Sequence, residues 1–218
     1  MLMGLFITFI AQVAFCQQSR LLMYFNPVKN DSIIDTRNMT REMAFLCSKH
    51  EINIFSDSIS LKYFFNNDTS NLYYEYDGYN VDDNVFIHFR NKKMVCPLFY
   101  KKLGGFYLIC YDIERITYLS IYDENCDKIY STFIFRDFTD VLGNQITHSI
   151  LFSNNHIASI ETSYEGVVYY KLFKIDLNNF KFSLIKELSI NGKSLTDQEI
   201  YTQTYPILGI NEKGEQIQ

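Results

Sequence analysis

Five cysteines, four histidines and a few close acidic pairs are the residues of this 218-residue chain whose types suit chemistry. Asp112 with Glu114, and Glu161 with Glu165, are pairs that in principle flank a glycosidic bond; the distance between carboxyl groups in the fold decides whether they do. Surface charge is the simpler reading of both. Histidines 50, 88, 148 and 156 are scattered, and none has an adjacent carboxylate or cysteine in ligand spacing. His148 and His156 open successive strands and are expected to approach each other across a sheet, yet a metal site needs a third ligand and none is identified. The run from Asp77 to Asn84 is rich in oxygen ligands but lacks the alternate spacing and sixth-position glycine of an EF-hand. It reads as a solvated turn, as does Asp123 to Asp127. No serine sits in a Gly-x-Ser-x-Gly elbow. No catalytic residue, metal or cofactor is assigned.

The cysteines are best read together with the first sixteen residues, MLMGLFITFIAQVAFC. The apolar core from Leu5 to Ala14 has the length of a signal-peptide h-region and falls short of a membrane span. Ala14 and Cys16 are small and stand where a signal peptidase reads, so the mature chain is expected to begin at Gln17. Only the α-amino group supplies positive charge before Arg20. Cys16 is also the lipid-anchor alternative, although the bulky Phe15 before it suits lipoprotein processing poorly. A first buried strand or helix is the remaining reading of this segment. Cleavage leaves Cys47, Cys96, Cys110 and Cys126, an even set that permits three connectivities. Met94 to Tyr100 and Phe106 to Asp112 flank a turn bearing Gly104 and Gly105. A hairpin centred on Leu103 places Cys96 opposite Cys110, making them the disulfide candidates; two buried free thiols is the other reading.

Charge and hydropathy narrow the classes further. The net charge of −5 and the lack of any long basic cluster argue against nucleic acid as a partner. The short basic runs at Lys92-Lys93 and Lys101-Lys102 are placed in turns. No second apolar run is long enough to span a membrane, so no transmembrane segment is expected after signal cleavage. Three glycosylation-type triplets, at Asn30, Asn38 and Asn67, carry no weight in an Asn-rich chain.

These residues need elements to position them, and the composition points to strands. Seventeen Tyr, nineteen Phe and abundant Ile suit a pleated surface. Short helices are expected only at Met39 to Ser48 and at Leu195 to Thr202, the second opened by Thr196 and Glu199 in capping-box spacing. Elsewhere twelve short strands are expected between Ile52 and Glu187, among them Ser60 to Phe65, Asn71 to Tyr76, Val85 to Arg90 and Lys128 to Phe135. Grouped in fours they make repeats at approximately 49–90, 93–137 and 147–188. Each repeat ends in a hairpin whose strand closes on an apolar or aromatic residue and Asp: Tyr76-Asp77, Tyr122-Asp123 and Ile175-Asp176. Asp suits a turn because its side chain accepts from turn amides.

In this pattern the chain resembles the β-propeller repeat proteins over roughly residues 49 to 188, without the Trp-Asp dipeptide or glycine pairs of particular propeller families. The resemblance implies an all-β fold of antiparallel four-stranded repeats in a single domain over residues 17–218. A two-sheet β-sandwich is the alternative. Leu21 to Phe25 with Ser32 to Asp35 as one hairpin, and Tyr201 to Ile210 as an inner strand, are expected to complete a fourth unit. Pro97, lacking an amide donor, is expected on an edge strand.

The functional expectation is an exported, periplasmic or extracellular binding protein without catalytic activity, its partner a protein, peptide or glycan. A carboxylate-dependent, carbohydrate-active hydrolase on the same scaffold is the alternative. A closed barrel holding an apolar ligand is a third reading, which the Asp-turn hairpins disfavour.

Overall fold

A computed structural model describes residues 21–38, 57–80, 85–93, 95–113, 116–140 and 143–217. The expectations for residues 1–16, Cys16 included, and for the helix at 39–48, Cys47, His50 and the strand at 52–55 lie outside those residues. The described chain is mostly β. Its strands are β1 (Asn26–Pro27), β2 (Ile34–Asp35), β3 (Tyr73–Asn80), β4 (Val85–Lys92), β5 (Val95–Leu103), β6 (Phe106–Ile113), β7 (Ile116–Tyr122), β8 (Lys128–Asp140), β9 (Gly143–Leu151), β10 (His156–Thr162), β11 (Val167–Asp176) and β12 (Lys181–Asn191). The helices are α1 (Asp57–Tyr63), α2 (Asp197–Thr202) and α3 (Thr204–Leu208), with a 3-10 turn at Thr69–Asn71.

From β5 to β12 each strand pairs antiparallel with the next, giving one large sheet that is not closed. β1 adds a parallel edge to β5, β2 pairs with β9, and β3 with β4 forms a separate two-stranded sheet. The expected strands from Met94 to Glu187 are thus all present. The reason is their alternation of apolar and polar residues between short Gly-, Asn- and Asp-bearing turns.

The thirteen-residue β8 is where the sheet turns. Its first part, up to Arg136, pairs with β7, and from Arg136 onward it pairs with β9. Register shifts near Phe133 and Tyr130 break its ladder with β7; such irregularities bend a strand and increase its twist. The layer β5–β8 and the layer β9–β12 therefore face one another. Leu108, Cys110, Leu119 and Ile121 of the first share one buried cluster with Leu151, Ile157 and Ile175 of the second. Across the outer face of the first layer, α1 and residues 21–25 pack on Tyr107, Ile109, Tyr111 and Tyr122. Across the outer face of the second, Ile200 and Leu208 pack on Ile150, Ile160, Tyr170 and Leu172. β6 is covered on both sides, which explains its nearly continuous apolar sequence.

Several expectations are corrected. Residues 60–65 do not form a strand: Ser60, Tyr63 and Phe64 are buried at i, i+3 and i+4, the helical period of α1. Asp77 is not in a turn but lies within β3 opposite His88. Leu21 to Phe25 and Ser32 to Asp35 make no hairpin, since β1 and β2 pair with β5 and β9 instead. Residues 201–208 are mostly helical and not a strand, and Ile210 alone forms a bridge, to Gln216. Pro206 falls in the first turn of α3, where no amide partner is needed, and Gly209 closes the helix at φ +68°. The capping box at Thr196 and Glu199 opens α2 as expected. Lys101 is no turn residue: it lies in β5 and is buried. Pro97 stands beside a register shift in β5, outside the two residues that β1 pairs.

The Cys96–Cys110 pairing also changes. The β5–β6 hairpin turns on Gly104 and Gly105, with Leu103 opposite Phe106 and Gly104 at φ +62°. That centre, later than Leu103, places Phe99 opposite Cys110, and a register shift places Cys96 opposite Asp112. No disulfide joins them, and the Cys110 thiol is fully buried, with desolvation pushing its pKa well up.

Candidate functional site

The shared core between the two layers changes character at one end. On the face of β9 that looks toward β5–β8, Leu151 belongs to the apolar cluster, but two and four residues earlier stand Ser149 and Thr147. On β10 the same face runs Ile157, Ser159, Glu161, and on β11 it runs Phe173, Lys171. Register brings these together: Ser149 is opposite Ser159, Ser159 opposite Lys171, and Thr147 opposite Glu161. With Thr132, Phe133 and Ile134 of β8 and Phe182 of β12 they line a small cleft of about 80 Å³. The cleft opens where β8 leaves β7 for β9, so the bend that folds the sheet also creates it.

Its charged groups form one cluster in which a single ammonium faces two carboxylates. Nζ of Lys171 lies 3.0 Å from Oε2 of Glu161 and 3.8 Å from Oε1 of Glu187. The amide of Gln145 donates to the other Glu161 oxygen at 2.9 Å. Its hydroxyls are less well provided. Thr147, Ser149 and Ser159 are 3%, 2% and 9% exposed, and the buried Oγ of Ser149 has no hydrogen-bond partner among the described residues. Its backbone amide, by contrast, donates to Oγ1 of Thr36 at 2.9 Å, where β2 meets β9. A buried hydroxyl left unmatched costs roughly 1–3 kcal/mol. Leu or Ala at that position would cost nothing of the kind. The rim is apolar and aromatic, with Phe133 exposed and Phe173 and Phe182 half-buried.

A second concavity lies on the opposite face of β9 and β10, lined by Arg37, His148, Thr162, Asp197 and Tyr201. Arg37 is held bidentately by Asp35, with Nε 3.0 and 2.9 Å from the two carboxylate oxygens, and its guanidinium lies 4.0 Å over the Tyr201 ring. The Asp35 hydrogen bond raises the Arg37 pKa, and burial raises that of Tyr201. The His148 ring packs between Phe135 and Tyr201 at 5.2 and 5.4 Å. Here the cation is already matched by a carboxylate and an aromatic face, so this region reads as a packed joint between β2, β9 and α2.

The residues singled out from sequence are dispersed. His148 is opposite Ile160, whereas His156 is opposite Lys174, so the two histidines do not approach each other. His88 lies in β4. Asp112 is buried and accepts from Oγ1 of Thr117 at 3.3 Å, while Glu114 lies outside the described residues. Glu161 points into the cleft, but Glu165 sits in the β10–β11 turn and lines a different, shallow surface. Among the described residues no group of three His, Cys, Asp or Glu converges to hold a metal ion. No helix among them is long and apolar enough to cross a membrane.

Sequence reasoning missed the hydroxyl set. Its trace is slight: Thr147, Ser149 and Ser159 are small polar residues at every second position of strands whose neighbours include Ile150, Ile157 and Ile160. Both faces of these strands are buried, however, so alternation alone does not tell which face holds a cleft. Family models, curated proteins and solved structures offer no match to this chain.

Proposed function

We propose that the protein is an exported binding module without catalytic activity, and that the cleft between its two sheet layers receives the ligand. The observation that carries this reading is the hydroxyl floor: Ser149, with a buried hydroxyl unmatched among the described residues, beside Thr147 and Ser159 at the polar end of the interface. Polar groups are retained in such a place at a cost to folding, and a ligand that satisfies them offsets it. Export rests on the apolar run from Leu5 to Ala14.

The layers β5–β8 and β9–β12 are on this reading successive propeller-like repeats. Two corresponding turns support it. Asp123 after β7 accepts from the amides of Asn125 and Asp127, and Asp176, the last residue of β11, accepts from those of Asn178 and Asn179. Each turn then closes through a left-handed residue, Cys126 at φ +62° and Phe180 at φ +52°. Face-to-face stacking of consecutive four-stranded units is how propeller blades bury their faces. The hydrolase alternative draws no support from the cleft, because Nζ of Lys171 occupies the space between Glu161 and Glu187 where a glycosidic bond would have to lie.

The test is to express the full gene in a bacterium, recover the protein from envelope and medium, and weigh it. That material is then screened against neutral sugars, peptides and small metabolites, beside a Ser159→Phe variant that fills the cleft. The reading expects a mass beginning at Gln17, a ligand recovered chemically unchanged, and loss of that ligand in the variant. A mass with lipid on Cys16 would make it a tethered form of the same module. Cytoplasmic, uncleaved protein, a ligand turned over, or binding indifferent to Ser159→Phe would overturn it.

A further inference from the structure

We infer that the outer edge of β12 docks an extended peptide segment of another protein. The segment adds to the sheet as a further strand and turns apolar side chains and one Lys or Arg toward the face that looks at β5–β8. The inference rests on the protein being a binding module, and on the cleft only as the seat of one small side chain.

The backbone comes first. β12 is eleven residues long and, among the described residues, pairs on one side alone, with β11. The opposite end of the same sheet is covered by β1, which pairs with two residues of β5. An open edge of this length offers a row of amides and carbonyls to an incoming strand. Its middle is aliphatic, with Leu184, Ile185 and Leu188 50%, 41% and 43% exposed. Leu184 pairs with Phe173 and Lys186 with Leu172, so Ile185 is the extra residue of a bulge and is skipped by the ladder.

Register then separates two faces. Phe182, Leu184 and Glu187 stand opposite Ile175, Phe173 and Lys171 and share the face turned toward β5–β8. There the Tyr130 ring lies 5.4 Å from that of Phe182, and Tyr130 and Phe133 are both exposed. Apolar side chains on one face of an added strand cover this surface. The adjoining cleft, about 80 Å³, falls well below the roughly 300–1,000 Å³ of small-molecule sites, but it holds more than a water and suits one small side chain.

Charge selects the partner. The ammonium of Lys171 lies 3.0 Å from Glu161 and 3.8 Å from Glu187, so the inward face carries one carboxylate more than it has cations to match. The lysines of β12 do not offset it. Lys181 and Lys186 stand opposite Asp176 and Leu172 on the other face, where Nζ of Lys186 donates to the Ile207 carbonyl at 2.9 Å. A strand with Lys or Arg on its inward face supplies the missing charge at the half-exposed Glu187. A second copy of this chain does not supply it through its own β12, because the inward residues Phe182, Leu184, Glu187, Ser189 and Asn191 include no cation.

The experiment uses the full chain with labelled leucine and isoleucine methyls and the capped heptapeptide acetyl-Thr-Val-Thr-Lys-Thr-Val-Thr-amide, whose Val, Lys and Val share one strand face. One control peptide carries Glu in place of Lys. Another carries Pro at its third and sixth positions, which removes a donor from each edge. The inference expects the Lys peptide to shift the methyls of Leu184, Ile185 and Leu188 saturably and to slow amide exchange along β12. It expects the Glu peptide to bind about fivefold more weakly and the Pro peptide not to bind. In Glu187→Gln the preference for Lys over Glu is largely lost. In Leu184→Lys, a change at an exposed position that leaves the other methyls in place, binding is lost. Lys-peptide binding unchanged in Ser159→Phe would overturn the cleft as a seat and leave the edge standing. Shifts of Ile157 caused by a small molecule, with none from any peptide, would overturn the edge and leave the cleft standing. Equal binding of the Lys and Glu peptides would overturn the inference. So would β12 shifts that appear on raising the protein concentration without peptide, the mark of a second copy.

Discussion

Ser149 and Lys128 illustrate opposite uses of a polar group under cover. The Ser149 hydroxyl is buried and has no hydrogen-bond partner among the described residues. Lys128 has a defined structural partner. Its Nζ lies 2.5 Å from the carbonyl of Phe64, just beyond the last turn of α1, while the hydroxyl of Tyr122 donates to the carbonyl of Tyr63 at 2.6 Å. Together they satisfy carbonyls that the end of α1 leaves open and tie that helix to β7 and β8. Desolvation draws the Lys128 pKa down to about 8. The sign follows directly: the unfolded chain holds this proton up to the ordinary lysine range, and the folded chain releases it earlier. Between pH 8 and about 10, therefore, the group makes the fold more stable as pH rises. In urea unfolding at a series of pH values, the stability of Lys128→Met relative to wild type is expected to be highest near pH 7 and to decline steadily from pH 8 to 10. A difference that does not change over that interval would show that the amine is not desolvated in the fold.

Elements show where local chemistry decides structure. Gly214 sits in the tail at φ +77°, and a Cβ there would come within 2.4 Å of the buried Phe152 ring; its carbonyl also accepts from Asn154 at 2.9 Å. Gly105 in the β5–β6 turn meets only the flexible end of Glu124. Gly214→Ala is thus expected to lower stability by about 1–3 kcal/mol, combining overpacking with left-handed backbone strain. Gly105→Ala is expected to change it by less than about 0.5 kcal/mol. Equal midpoints for the two variants in urea would contradict the packing of the tail against β9. The same scale explains what was legible in the sequence. Strands β5 to β12 and the cap of α2 carry their own signals in alternation, turn residues and Thr196-x-x-Glu199 spacing. Residues 60–65 and 201–210 are rich in aromatic and β-branched residues that suit a strand, yet tertiary packing selects helices for them, with helical burial in α1 and Pro206 and Gly209 at the two ends of α3. Hairpin centring on Leu103 failed by a residue or two because the turn consists of Gly104 and Gly105, and a small shift changes which residue every cysteine faces.

At the scale of the molecule, what matters is the bend in β8. It lets one antiparallel sheet present two faces to each other, with helices covering the outer sides, and the resulting interface is apolar at one end and hydroxyl-lined at the other. No local pattern encodes that layering, since it depends on which of two buried faces meets which, and so the cleft was the least legible feature of the chain. The central claim is that this interface, and not the Arg37–Tyr201 joint on the far side of β9, is the working surface. Hydrogen–deuterium exchange of the full chain with and without a saturating amount of the ligand recovered in the screen tests it most directly. The account predicts slowed exchange in residues 145–161 and 169–173, with no change in residues 34–38 and 197–205. Protection confined to the Arg37 and Tyr201 segments, or none in either region, would contradict it.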